Sequence, residues 1–93
     1  MVKHIVLYNL KPEFEKDSTV KFIASTLEPL VGKIPGLLHL EIRSCFQGMD
    51  YALYSEFESK EALFAYAENP LHIEAKGHFS HFIDTRVAAD YEL

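Results

Sequence analysis

Apolar residues along this chain change period in a fixed order. Val2 to Leu10, "VKHIVLYNL", is rich in β-branched and aromatic residues and predicts a strand. "KPEFEKD" is polar, holds Pro12 and reads as a loop, after which Asp17 or Ser18 can cap a helix. Val20, Ile23, Leu27, Leu30, Val31 and Ile34 then follow at the steps of one helix face. Pro29 lies within that run, where it removes a donor and costs roughly 3 kcal/mol in a helix interior. The helix should therefore kink or end irregularly, and Pro35-Gly36 stops it. "LLHLEIRSC" alternates, with Leu38, Leu40 and Ile42 on one side and His39, Glu41 and Arg43 on the other, which is a strand with one apolar face. "FQGMD" supplies a turn and "YALYSEFE" a third strand. Ser59 caps a second helix that runs to about Glu68, where Asn69-Pro70 breaks it, because the residue before proline leaves the helical region. Helical steps resume through His72, Ala75, Phe79, Phe82 and Ile83, and "DTRVAADYEL" closes the chain as a fourth strand.

The order is β-α-β-β-α-β, with the second helix in two pieces. This is the split βαβ, ferredoxin-like pattern of an α+β fold: four antiparallel strands with helices on one face. At 93 residues, a single domain over 1–93 is expected. With 48% hydrophobic residues the chain can form a core, but a domain this small keeps a thin stability margin.

Two helices cover one face of a four-stranded sheet. His4, Val6, Tyr8 and Leu10 oppose Ile5 and Leu7; Tyr51, Leu53, Ser55 and Phe57 oppose Ala52 and Tyr54; Val87, Ala89 and Tyr91 oppose Ala88 and Asp90. Neither face reads as fully solvated. An open apolar face in a small protein marks an interface, and sheet-to-sheet association of two copies would bury it as an isologous homodimer. The alternative is that these are exposed single residues, which are common.

The formal charge of −5 and the lack of any Lys/Arg run argue against nucleic acid and anionic membranes as partners. No stretch approaches the ~20 apolar residues of a membrane-spanning helix, and Ile5 to Leu10 is too short for a secretory leader. Cys45, the one cysteine, has no partner for a disulfide, which fits a reducing cytoplasm.

Four stretches together resemble the stress-responsive A/B barrel domain (Dabb) family: "VKHIVLYNLKPE", "LVGKIPGLLHLEI", "SEFESKEALFAYAENPLH" and "RVAADYEL". The resemblance covers essentially the whole chain and implies a dimeric α+β barrel. It implies fold more than reaction, since most members have no assigned activity and plant members are linked to stress and defence. A few members resemble polyketide cyclases, in which a Tyr and a His on the broken second helix close a ring by aldol chemistry without metal or organic cofactor. Their motif reads Tyr-x-x-His-Pro-x-His. Tyr66 matches its tyrosine and His72 its last histidine, while Asn69 replaces the middle one. His4 matches the family's opening histidine, and Tyr51 stands where the cyclase type has a second pocket histidine.

The residue types permit such chemistry. His72 starts an apolar stripe, so it should face the sheet, and a histidine near a pKa of about 6.5 can accept a proton at neutral pH. Tyr66 can donate to an enolate oxygen, and Asp90 on a neighbouring strand is expected to hold one ring nitrogen of His72. Strand parity places His4, Tyr8, Tyr51 and Asp90 on the helix-facing side. With Leu27, Leu40, Leu53 and Phe79 as walls, they suit a small pocket for an apolar ligand.

The structural readings run beside these. A histidine on an apolar face is often a core residue bonded to a carbonyl, "NPLH" can simply cap a helix, and a buried tyrosine often only needs a partner for its hydroxyl. His78 and His81 have a metal-like spacing, but they lie opposite His72 with only Asp84 nearby, which reads as a solvated face and no metal site. Cys45 has no predicted histidine neighbour and the four glycines make no phosphate loop.

The sequence therefore predicts a homodimeric barrel that binds a small apolar or aromatic molecule between sheet and helices. The alternatives are a cofactor-free cyclase-like enzyme using His72, Tyr66 and Asp90, and a purely structural, stress-protective dimer. Cofactor-independent oxygenase chemistry is open by fold analogy alone.

Overall fold

The computed structural model describes residues 1–93. Strand β1 spans Val2–Leu10, helix α1 Lys16–Leu27, β2 Leu37–Ser44, β3 Tyr51–Phe57, α2 Lys60–Glu68, α3 Pro70–Phe79 and β4 Ile83–Glu92. The strands pair antiparallel in the order β2-β3-β1-β4. The expected α+β architecture and the broken second helix are both present.

Helix α1 is capped by Glu15 rather than by Asp17 or Ser18. The Glu15 carboxylate accepts from the Ser18 backbone N–H and hydroxyl, both at 2.8 Å, so Ser18 serves as donor instead of cap. The helix ends at Leu27, and Pro29 falls in a short 3-10 turn, Glu28–Leu30, where the missing N–H leaves no helical bond unmade. The apolar stripe continues through Leu30, at the end of that turn, to Ile34, both buried, with no helix beneath Ile34.

Strand β2 differs from its expected alternation. The register against β3 shifts between Leu37 and His39, so Leu37 pairs with Phe57 and Leu40 with Ser55. Leu37, Leu40 and Ile42 are buried, and Leu38, expected among them, is 48% exposed. The extra residue of the bulge turns Leu37 inward three positions before Leu40, which expels Leu38.

The core joins one sheet face to the helices. Val2, Val6, Tyr8 and Leu10 of β1 and Tyr51, Leu53 and Phe57 of β3 pack on Val20, Ile23 and Leu27 of α1, Leu63 and Tyr66 of α2, and Ala75 and Phe79 of α3. Ser55 is buried among them, its hydroxyl donating to the His4 carbonyl at 3.3 Å. Gly36 fixes where α2 sits. Its φ is +83°, and a Cβ there would lie 2.5 Å from the Ala62 Cβ.

The opposite face is open. Cross-strand pairing puts Ile5, Leu7, Ala52, Tyr54, Val87, Ala89 and Tyr91 on it together, with Val87 59% and Tyr91 49% exposed. Its polar groups lie around this patch: a Lys3–Glu56 ion pair, and the His39 and Glu41 pair on β2 at 2.8 Å.

Candidate functional site

The break between α2 and α3 is built by one residue. Asn69 has φ −68° and ψ 132°, extended backbone that ends α2. Its N–H donates to the Tyr66 carbonyl, closing α2, and its side-chain oxygen accepts from the Leu71 N–H at 2.9 Å, opening α3. Pro70 follows in the first turn of α3, where it has no donor to lose. This double cap fixes the two helices on either side of it. Tyr66, three residues before, is buried, and His72, three residues after, is partly buried. Their rings lie 4.2 Å apart, centroid to centroid. Phe57 of β3 meets Tyr66 edge-on at 5.0 Å and His4 at 6.2 Å.

His4, Tyr66 and His72 line a cavity of about 430 Å³ between sheet and helices. His4 and Tyr8 of β1, Leu53 of β3, Leu27 of α1, Tyr66 of α2 and His72 and Phe79 of α3 face it. Leu63 and Ala67 of α2, Lys76 and Ser80, and Ile83 and Arg86 of β4 also line it. The volume lies within the ordinary range for small-molecule pockets, and the walls are mostly apolar with a few polar groups.

Three expectations need correction. Asp90 does not hold His72. The β1–β4 register sets Asp90 opposite His4, and its carboxylate accepts from His4 Nδ1. An ionised carboxylate only accepts, so Nδ1 carries the proton that it donates to Asp90. Tyr51 does not line the cavity either. It is fully buried beneath Tyr8, stacked at 4.6 Å with planes 10° apart, and its hydroxyl has no partner. Leu40 belongs to the core but does not reach the cavity wall.

The electrostatics follow from burial. His72 Nδ1 is buried and unpaired, and desolvation lowers the pKa of the ring. The Ala67 backbone oxygen acts the other way without reaching hydrogen-bond geometry, and Lys76, His4 and Arg86 each add a smaller push downward. His72 is therefore neutral at neutral pH. Burial raises the pKa of Tyr66 above the ordinary phenol value, so it stays protonated and able to donate. Burial does the same to Tyr51. His78 and His81 are both exposed, and no three His, Cys, Asp or Glu side chains cluster.

Residues 2–93 match the Stress responsive A/B Barrel Domain family. The chain belongs to this family. A stress-response A/B barrel domain-containing protein of Arabidopsis thaliana is 30% identical, over 98% of this chain and 85% of its own length. A dimeric protein of unknown function and ferredoxin-like fold from Bacteroides fragilis superposes with a TM-score of 0.88 at 28% identity, covering 99% of this chain and 95% of that one. The hydroxynitrile lyase of Passiflora edulis shares the fold, with a TM-score of 0.82 at 18% identity over 97% of this chain and 90% of its own.

Within the A/B barrel family, the two departures seen in the sequence now have structural occupants. Asn69, where cyclase-type relatives carry a histidine, is the double cap, and Tyr51 is core. The cavity residues that sequence reasoning missed carried a readable signal. Lys76 is four positions after His72 on the same helix, and Arg86 has the same strand parity as Asp90, the parity of the helix-facing side. No helix is long and apolar enough to cross a membrane.

Proposed function

We propose that this A/B barrel protein binds a small apolar or aromatic molecule in the cavity between sheet and helices, as a homodimer joined through the open sheet faces. The observation that carries the ligand reading is the cavity itself, apolar at Leu27, Leu53 and Phe79 and polar at His4, Tyr66 and His72. A packed, carbonyl-bonded His72 would have argued for a bracing role, but its Nδ1 has no partner. The dimer reading rests on the exposed apolar patch and on the dimeric Bacteroides fragilis relative.

The test is a thermal-shift screen of small aromatic and alicyclic compounds, followed by titration of the hits against wild type and His72→Ala. Hits that raise the melting temperature of wild type and bind the variant more weakly are expected. A variant that loses stability but binds every hit unchanged would return His72 to a purely structural role.

A second reading is favoured by the Tyr66–His72 contact. A neutral His72 can take a proton next to a carbonyl while the Tyr66 hydroxyl donates to the enolate oxygen, and Asp90 fixes the tautomer of His4 across the cavity. Exchange of the methyl protons of acetophenone in heavy water measures this step by NMR. An exchange rate equal to that in buffer, or one that Tyr66→Phe and His72→Ala leave unchanged, removes the enzymatic reading.

A further inference from the structure

We infer that the molecule held in this cavity is an acid: an apolar or aromatic hydrocarbon body bearing one carboxylate. The inference rests on the ligand reading above and specifies its chemistry.

It starts from the charges on the cavity wall. Lys76 reaches the wall from α3 and Arg86 from β4. No Asp or Glu lines the cavity. The ion pairs of the chain are Lys3–Glu56, His4–Asp90, His39–Glu41, Arg43–Glu28 and Lys60–Glu92, and neither Lys76 nor Arg86 is in one. Asp90 of β4 is taken by His4, opposite it in register. The chain as a whole carries −5, so two unpaired cations beside one cavity reverse its overall sign.

Both cations also act on the cavity's interior, since each opposes protonation of His72. Like charges on the wall of one cavity without an anion repel, and a carboxylate bound in that cavity relieves the repulsion. Arginine offers a planar fork that fits a carboxylate, and lysine adds a point charge. Leu27, Leu53 and Phe79 supply no hydrogen bonds, so the part of the ligand that lies against them must be hydrocarbon. A neutral ligand would use the same walls but gain nothing from Lys76 and Arg86.

Matched pairs separate the two cases: benzoate and benzamide, cinnamate and cinnamamide, 1-naphthoate and 1-naphthamide. Each is titrated into the intact protein at about pH 7.5, where the acids are ionised, with NMR signals of Tyr66 and His72 as the readout. The acid of at least one pair should bind about tenfold tighter than its amide, the effect of one charge-assisted contact. Added salt should narrow that ratio. The double variant Lys76→Met, Arg86→Met, at two exposed positions, should bring it to about one. Amides that bind as well as their acids in every pair would overturn the inference and leave the ligand reading standing, as would a ratio that survives in the double variant. If no compound of either kind shifts Tyr66 or His72, the ligand reading falls and the inference falls with it.

Discussion

His72 is partly buried with an unpaired ring nitrogen, so its surroundings and not a partner set its charge. Its depressed pKa has a consequence for stability. Above about pH 6.5 the ring is neutral in both folded and unfolded chains. As pH falls below that value, the unfolded chain takes a proton that the folded ring resists, so the contribution of His72 to stability is lost toward acid. Urea unfolding at about pH 7.5 and about pH 5.5 should show a larger loss for wild type than for His72→Gln. Equal losses would mean that burial does not perturb this ring. Tyr66 offers the complementary probe. Tyr66→Phe should change stability by about 1 kcal/mol or less, the scale of one hydrogen bond, yet weaken ligand binding if the hydroxyl serves the cavity. At this scale spacing pointed His72 and strand parity pointed His4 toward the space between sheet and helices, while Tyr66 was singled out by the family resemblance; all three line the cavity. It misassigned Asp90 because parity gives a face and not a neighbour. Only the β1–β4 register decides that His4, and not a helix residue, meets the carboxylate.

The site depends on elements that are set locally. Asn69 closes α2 and opens α3, so losing its side chain should cost about 1 kcal/mol, the usual value for a cap. Asn69→Ala should therefore lower the unfolding midpoint, and Asn69→Asp, which keeps the acceptor, should recover most of it. A midpoint unmoved in Asn69→Ala would show that Pro70 alone holds the break. Gly36 makes a sharper case. Its positive φ and the Ala62 Cβ at 2.5 Å leave no room for a methyl group. Gly36→Ala should destabilise by roughly 1–3 kcal/mol, read by chemical denaturation, and should displace α2 and with it Tyr66. Breaks written in proline and asparagine were legible in the sequence because those residues act on their own backbone. The bulge in β2 was not. Leu37 and Leu38 are the same residue type, so the apolar pattern fits either phase, and Phe57 across the sheet chooses Leu37.

At the scale of the whole molecule, the sheet has one covered face and one open one, and the proposed dimer would form through the open face. Ile5, Leu7 and Tyr54 are partly buried within the protomer, while Val87 and Tyr91 on β4 are about half exposed or more. Each apolar side chain that passes from water into an interface contributes roughly 1.5–3 kcal/mol. A patch of this kind can thus offset the loss of freedom on association, although each copy carries −5. The polar groups do not oppose contact at the centre. Lys3 and Glu56 pair with each other, and His39 and Glu41 lie toward the β2 edge. Light scattering at micromolar concentration should give the mass of two chains. Val87→Glu with Tyr91→Glu adds two charges to each copy on the proposed contact face, where the nearest cation in register, Lys3 opposite Tyr91, is already paired with Glu56. Those carboxylates stay hydrated in the monomer and would lose their water in the dimer, so the double variant should run as one chain. Both positions are exposed in the protomer, so circular dichroism should show an unchanged fold. A wild-type mass of one chain would refute the dimer outright. A double variant that still runs as two chains would move the interface from this face to another, and the long β4 edge would be the next place to cut.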